Sequence, residues 1–313
     1  MCYNVEKCRI GEYDMGENTQ NGLININLQP VADVTNNIIN KLTGAVCWLV
    51  TTPHGTRKQM QEAIEVYIEE IRNDDSLPSI VKAAKIRNAQ KEILEYCNTQ
   101  DIILHAEMFG ADYECNDEPL DEDWAMFFFD KAKNVSRDDA KVLWGKILAE
   151  ECRNPGIIPK SLVHILSVMS SEEARAFETL CGFAPDVLEN FGQIVRADPL
   201  ISGNITDTVL SDNGLTYEVF QDLEALGLLH YNVVDIRTVY EQDVSKMTAA
   251  YLYHGTIIKI TNFPKEFPRG CVLLTNAGRI LASLIERKRI EGFEEYLKKY
   301  YENIGCTVVI QSI

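Results

Sequence analysis

The 313 residues contain no Cys-x-x-Cys pair, no Gly-x-Ser-x-Gly, no phosphate-cradling Gly-x4-Gly-Lys and no His-Glu-x-x-His. These absences remove the common signatures of zinc ribbons, nucleophile-elbow hydrolases, P-loop nucleotide binders and zinc peptidases. Basic residues are scarce: 30 Lys and Arg face 47 Asp and Glu, a formal charge of −17. Such a chain repels polyphosphate and anionic lipid unless its cations are segregated. No stretch approaches the ~20 apolar residues of a membrane-spanning helix. Met1 is followed by polar and charged residues rather than an apolar leader, so a cytoplasmic location is expected. Histidine is rare and spread out, at His54, His105, His164, His230 and His254. Cys97, His105 and Cys115 come nearest to a cluster but have no zinc-ligand spacing. His164, between Leu162 and Ile165 on an amphipathic helix, reads as structural. No catalytic residue, metal or cofactor is expected.

Hydrophobic residues make up 46% of the chain, enough for a substantial core. The nine cysteines are odd in number and scattered, which suits reduced thiols better than a disulfide framework.

The densest helical signals run from Asp121 to Phe183, where four short helices follow one another. Ser136 with Asp139 reads as an N-cap, followed by the stripe Ala140, Leu143, Trp144, Ile147 and Leu148. Asn154-Pro155-Gly156 stops that helix and Pro159 opens the next. Ser170 or Ser171 caps the fourth, with Glu172 and Glu173 in its first turn.

Around this core the chain divides into residues 1–29, a loose arm in which Leu23 to Leu28 alternates like a strand; 30–111, helical; 112–192, the central core; and 193–313. In the second part, Pro30 to Val50 ends in a nearly all-apolar segment. Thr56 to Arg72 places Met60, Ala63, Ile64, Tyr67 and Ile71 on one face. A long helix follows from about Pro78 to Met108, its first half basic, and the two form a hairpin suited to dimerisation. Contacts are expected at Trp48, Val50, Lys82, Lys85 and Arg87. The acidic run Asp112 to Asp123 reads as a linker whose end favours the next helix N-terminus. Ala184 to Gly192 is expected to continue helically.

The last part turns from a helix, Leu215 to Leu226, to strands at 228–234, 250–260 and 272–274. Two helices follow, from Asn276 and from Phe293, and then a closing strand from Cys306. This order resembles a winged helix. Its reading helix, Thr216 to Leu226, holds three acids and no Lys or Arg, which disfavours nucleic acid. The expected fold is therefore mainly α, with N-terminal helices and a central helical core followed by a winged-helix-like α/β module.

A set of motifs carries a further resemblance. These are Pro30…Ile39…Gly44 leading to Pro53, Trp144-x-x-Ile147-Leu148-Ala149-x-Glu151, Asn154-Pro155-Gly156, Leu162-x-x-Ile165-Leu166, and Met169-Ser170-x-Glu172-x-Ala174-x-x-Phe177. Gly214-Leu215…Leu223-x-x-Leu226-Gly227-Leu228 and Leu274-Thr275-x-Ala277-Gly278-x-Ile280-Leu281 complete it. From Pro30 onward the chain resembles the bacterial family called domain of unknown function 2806 and, more distantly, the abortive-infection alpha proteins. The resemblance implies a setting in anti-phage defence and supplies no catalytic residues. The expected function is that of a non-enzymatic interaction or assembly protein, a homo-oligomer or subunit of a complex. The alternatives are a winged-helix nucleic-acid-binding regulator and a membrane-acting effector working through residues 38–50.

Overall fold

Seven helices precede the first strand among the residues that the computed structural model describes: 35–50, 57–110, 118–189, 193–203, 208–239 and 248–313. They are α1 (Thr35–Val50), α2 (Arg57–Asn73), α3 (Ser79–Gly110), α4 (Glu122–Ala132), α5 (Asp138–Arg153), α6 (Lys160–Val168) and α7 (Ser171–Gly182). The expected arm over 1–29 and its Leu23–Leu28 strand lie outside the described residues, as do Asp112 to Asp117. Local chemistry sets several of the helix starts. The Asp121 carboxylate accepts from the Trp124 N–H at 2.6 Å and caps α4. Ser170 caps α7 in a full capping box: its hydroxyl accepts from the Glu173 N–H, and the Glu173 carboxylate accepts from the Ser170 N–H.

Ser136 does not cap α5. Arg137 holds the N-cap position without a side-chain bond, and its guanidinium pairs with Asp139 instead. The start is stabilised by the negative charge of Asp138 and Asp139 in the first turn. His164, read as structural, lies on the exposed side of α6.

The helical half closes around aromatic rings. Trp124 stacks on Phe128 at 5.0 Å between centroids, and Phe128 meets Trp144 at 5.2 Å. Ile38, Leu42 and Val46 of α1 are buried in the same core. Among the described residues no helix is long and apolar enough to cross a membrane.

Beyond α7 the chain becomes mixed: β1 (Asp186–Glu189), β2 (Gln193–Ala197), α8 (Thr208–Asp212), α9 (Tyr217–Ala225), β3 (Leu229–Tyr231), β4 (Arg237–Val239), β5 (Ala249–Tyr253), β6 (Thr256–Thr261), β7 (Glu266–Pro268), β8 (Val272–Leu274), α10 (Asn276–Leu284), α11 (Phe293–Glu302) and β9 (Thr307–Ser312). The molecule is thus mainly helical with a C-terminal antiparallel sheet. Five strands pair in the order β2-β1-β5-β6-β9, and β3–β8 and β4–β7 form two further pairs. Val187, Tyr251, Ile258 and Ile310 stand in one row across the large sheet. Behind it lies α11, whose Phe293 ring meets Tyr253 at 4.8 Å.

Two expectations change here. Of the expected continuation Ala184 to Gly192, residues 190–192 lie outside the described ones and the rest does not extend α7: Pro185 cannot continue the helix, and Asp186 to Leu188 pair with Ala250 to Leu252 as β1. The stretch 250–260 is not one strand but two, β5 and β6, folded at His254-Gly255. Both turn residues have positive φ (45° and 80°), as a two-residue hairpin loop requires. The three pairings β3–β8, β4–β7 and β5–β6 are concentric, so these six strands nest as one hairpin about the His254-Gly255 turn.

The base of this hairpin explains a motif. Gly227 (φ 82°) turns the chain from α9 into β3. Thr275 caps α10, its hydroxyl oxygen accepting from the Gly278 N–H at 3.1 Å and donating to the Gly227 carbonyl at 2.7 Å. The Thr275 N–H donates to the Leu228 carbonyl at 3.0 Å. Gly278 lies directly on that carbonyl, where a Cβ would overlap the Leu228 oxygen and stand 3.0 Å from its carbon.

Candidate interaction surface

The buried polar groups hold the fold together. Glu151, fully buried, accepts from the N–H groups of Gly156 (2.7 Å) and Ile158 (2.8 Å). The Ile158 carbonyl in turn accepts from the Trp124 indole N–H at 2.7 Å. The turn after α5 is thereby tied on both sides. Burial holds the Glu151 carboxyl above its ordinary range, against the downward pull of those amides.

Between α3 and α5, Lys141 is 2% exposed and its Nζ sits 2.6 Å from Asp101. The helices approach closely there, for a Cβ on Gly145 would overlap His105. Burial keeps the His105 imidazole below its ordinary 6.5, opposed by Asp101 and Asp138. Two residues on, burial pushes the Glu107 carboxyl from 4.5 up to about 7. A carboxyl raised in the folded state favours folding most when protonated. Its contribution is full below about 4.5 and is lost as pH rises through about 7. Glu107→Gln is therefore expected to raise stability by about 2 kcal/mol at pH 8 and by little at pH 4, read from urea midpoints.

Among the described residues, thiol chemistry is suppressed. Cys97, Cys152, Cys181, Cys271 and Cys306 are buried and in no disulfide. Burial pushes Cys181 and Cys271 up to about 12, far from the thiolate form at neutral pH. A cleft of about 420 Å³ beside β4 and β7 is lined by Asp235, Arg237, Lys265 and Glu266 among others. Its charges are already balanced, since Arg237 pairs with Glu266 at 3.3 Å and Asp235 accepts from the Gly203 N–H.

One group of exposed apolar and charged side chains lies on the hairpin of α2 and the first half of α3. Ile68 and Ile71 of α2 are buried with Ala89 of α3, and Lys82 donates to the Arg72 carbonyl at 2.7 Å across the pair. Ser76 and the Asp74 carboxylate form the turn. Away from this seam the side chains are uncovered. Val66 is 60% exposed, Tyr67 49%, Ile80 77% and Leu94 50%. The buried side of α2 differs from the expected one: Ile64, Ile68 and Ile71 face α3, whereas Ala63 and Tyr67 face solvent. Two stripes at helical spacing compete on this helix, and α3 covers only one of them.

Of the residues expected to make contacts, Lys82, Lys85 and Arg87 lie together along this hairpin, Lys85 and Arg87 exposed and Lys82 half-buried. Trp48 and Val50 belong to α1, and their side chains lie outside the described ones. Val66, Ile80 and Leu94 were missed. They sit among charged neighbours in segments whose periodicity is satisfied without them.

Residues 82–298 match the model of a family described as a protein of unknown function (DUF2806). No match is found among curated proteins or solved structures.

Proposed function

The chain belongs to the DUF2806 family, and from that premise we propose that it is a non-enzymatic assembly protein whose contact element is the α2–α3 hairpin. The observation that carries this reading is the pair of helices with large apolar side chains uncovered on both members. Clustered exposed apolar groups mark interaction surfaces more often than scattered ones do. The resemblance to abortive-infection proteins gives the setting we propose, a homo-oligomer or complex subunit in anti-phage defence.

The test is the native size of the tagged chain in fresh lysate. The wild type is expected to migrate well above its monomer mass, and Val66→Glu with Ile80→Glu to migrate as a monomer. Both at monomer mass, or both unchanged in a larger complex, would reject the hairpin as the contact element.

One observation favours a second reading. The chain order α8, α9, β3, β8 and α10, with β3 paired to β8, supports reading this part as a winged helix with a long insertion between those two strands. Yet the side of α9 open to solvent presents Glu218, Gln221 and Asp222, a surface that repels phosphate. Nuclease treatment that reduced the native size would favour nucleic-acid binding instead. The membrane alternative is weakened because Ile38, Leu42 and Val46 of its proposed segment are already buried.

A further inference from the structure

We infer that the partner of the hairpin is a second copy of this chain, paired about a two-fold axis so that α2 of each copy lies on α3 of the other. The inference rests on the assembly reading above and names its partner. Its basis is a separation of charge between the later part of α2 and the first half of α3. From 62 to 73, α2 carries Glu62, Glu65, Glu69 and Glu70 against Arg72 alone. From 82 to 91, α3 carries Lys82, Lys85, Arg87 and Lys91 and no acid.

If Glu65, Glu69, Glu70, Lys85 and Arg87 served the hairpin internally, they would be bridged across its seam. They are not. Among the described residues, Glu65, Glu69, Glu70, Lys85 and Arg87 form no ion pair within 4 Å. Lys91 pairs along its own helix with Glu95 at 3.4 Å, and Lys82 bonds a carbonyl rather than a carboxylate. The apolar groups are likewise divided, with Ala63, Val66 and Tyr67 exposed on α2 and Ile80, Val81 and Ala84 exposed on α3. A contact across a two-fold axis requires one surface to hold both members of every complementary pair. This hairpin holds both signs and an apolar patch on each side, whereas an unrelated partner would need only one sign.

Size sets the strength. The 17 residues of α2 span about 25 Å at ~1.5 Å per residue, and two helices are about 20 Å wide. Each copy thus offers on the order of 500 Å², and the pair about 1,000 Å², the lower limit of a specific interface. A dimer that dissociates in the micromolar range and weakens with salt follows, because exposed charges are screened beyond ~10 Å.

The experiment is light scattering on purified full-length chain from about 1 to 100 µM. It compares the wild type with two reversals, Glu65→Lys/Glu69→Lys/Glu70→Lys and Lys85→Glu/Arg87→Glu/Lys91→Glu; circular dichroism confirms that each is folded. Each reversal alone is expected to weaken dimerisation at least 30-fold, and an equimolar mixture to restore it to within about threefold as a heterodimer. Disruption by both without rescue on mixing would overturn the α2-on-α3 pairing. A dimer indifferent to both reversals would place the contact elsewhere and remove the assembly reading of the hairpin as well. A purified wild type that stays monomeric at 100 µM, beside a hairpin-dependent complex in lysate, would overturn self-pairing while the assembly reading stands.

Discussion

Gly278→Ala is expected to destabilise the chain by about 3 kcal/mol or more, enough to lower the melting temperature by roughly 6–12 °C. The sign is the informative part. Alanine is the better helix former by about 1 kcal/mol, so propensity alone forecasts a gain at this first-turn position. The obstacle is the Leu228 carbonyl, which a Cβ on residue 278 would overlap. Neither partner is free to retreat. The Leu228 oxygen is held by the Thr275 N–H, and the Leu228 N–H is bound to the Leu223 carbonyl at 3.1 Å. On the other side, α10 is anchored by buried Ala277 and Leu281. Relief would need movement of β3 or of the helix, and with it the β3–β8 pair. Gly44→Ala is the control: it lies within α1 with nothing near the position of an added Cβ, and should raise the melting temperature slightly. A melting temperature for Gly278→Ala equal to or above the wild type would refute the packing account of the Leu-Thr-x-Ala-Gly motif.

The second large effect belongs to Glu151. Glu151→Ala is expected to cost about 3–5 kcal/mol, because it strands the buried Ile158 N–H at about 1–3 kcal/mol, removes the partly buried bond to the Gly156 N–H and leaves a void. The carboxylate is suited to its task by having two oxygens at fixed separation, one for Gly156 and one for Ile158. Glu151→Gln keeps one acceptor and turns an amide N–H2 toward the other donor, so it should fall between alanine and the wild type. Glu151→Leu, which fills the volume but accepts nothing, should be about as damaging as alanine. That ordering, read from denaturant midpoints, separates a hydrogen-bonding role from a space-filling one. If leucine were tolerated, the turn would depend on packing alone. The loss should also reach α4, since the Trp124 indole holds the same turn from the other side.

Both of these positions were visible in the sequence as motif residues, but without a mechanism. The helices from α4 to α7 were legible because their punctuation is local: Asp121 and Ser170 cap through bonds within three residues, and Pro155 and Gly156 follow directly on the end of α5. The strands were less so. β1 is four residues long and follows a helix, and its identity comes from Ala250 to Leu252 more than sixty positions away and from Arg287, which pairs with Asp186 at 2.7 Å. β4 and β7 are three residues each and mark only the middle of a larger hairpin. On the candidate surface, the cations of α3 could be read from the chain, but the uncovered apolar groups could not. Ala63, Val66 and Tyr67 form as good a stripe as Ile64, Ile68 and Ile71, and only the position of α3 decides which is buried.

The concentric pairing of residues 229–274 bears on the order in which this region is assembled. Brought together first, β3 and β8 would have to enclose the forty residues 232–271 in a single step, with no intervening contact to offset the lost chain entropy. Starting at His254-Gly255, each closure traps only a short segment, and every doubling of an enclosed loop costs about 0.6 kcal/mol more. Zippering from the tip toward the base is therefore the lower route. It places Gly278 and the Leu228 carbonyl at the end of the path: their junction acts as a latch that governs how fast the region comes apart, while the tip governs how fast it forms.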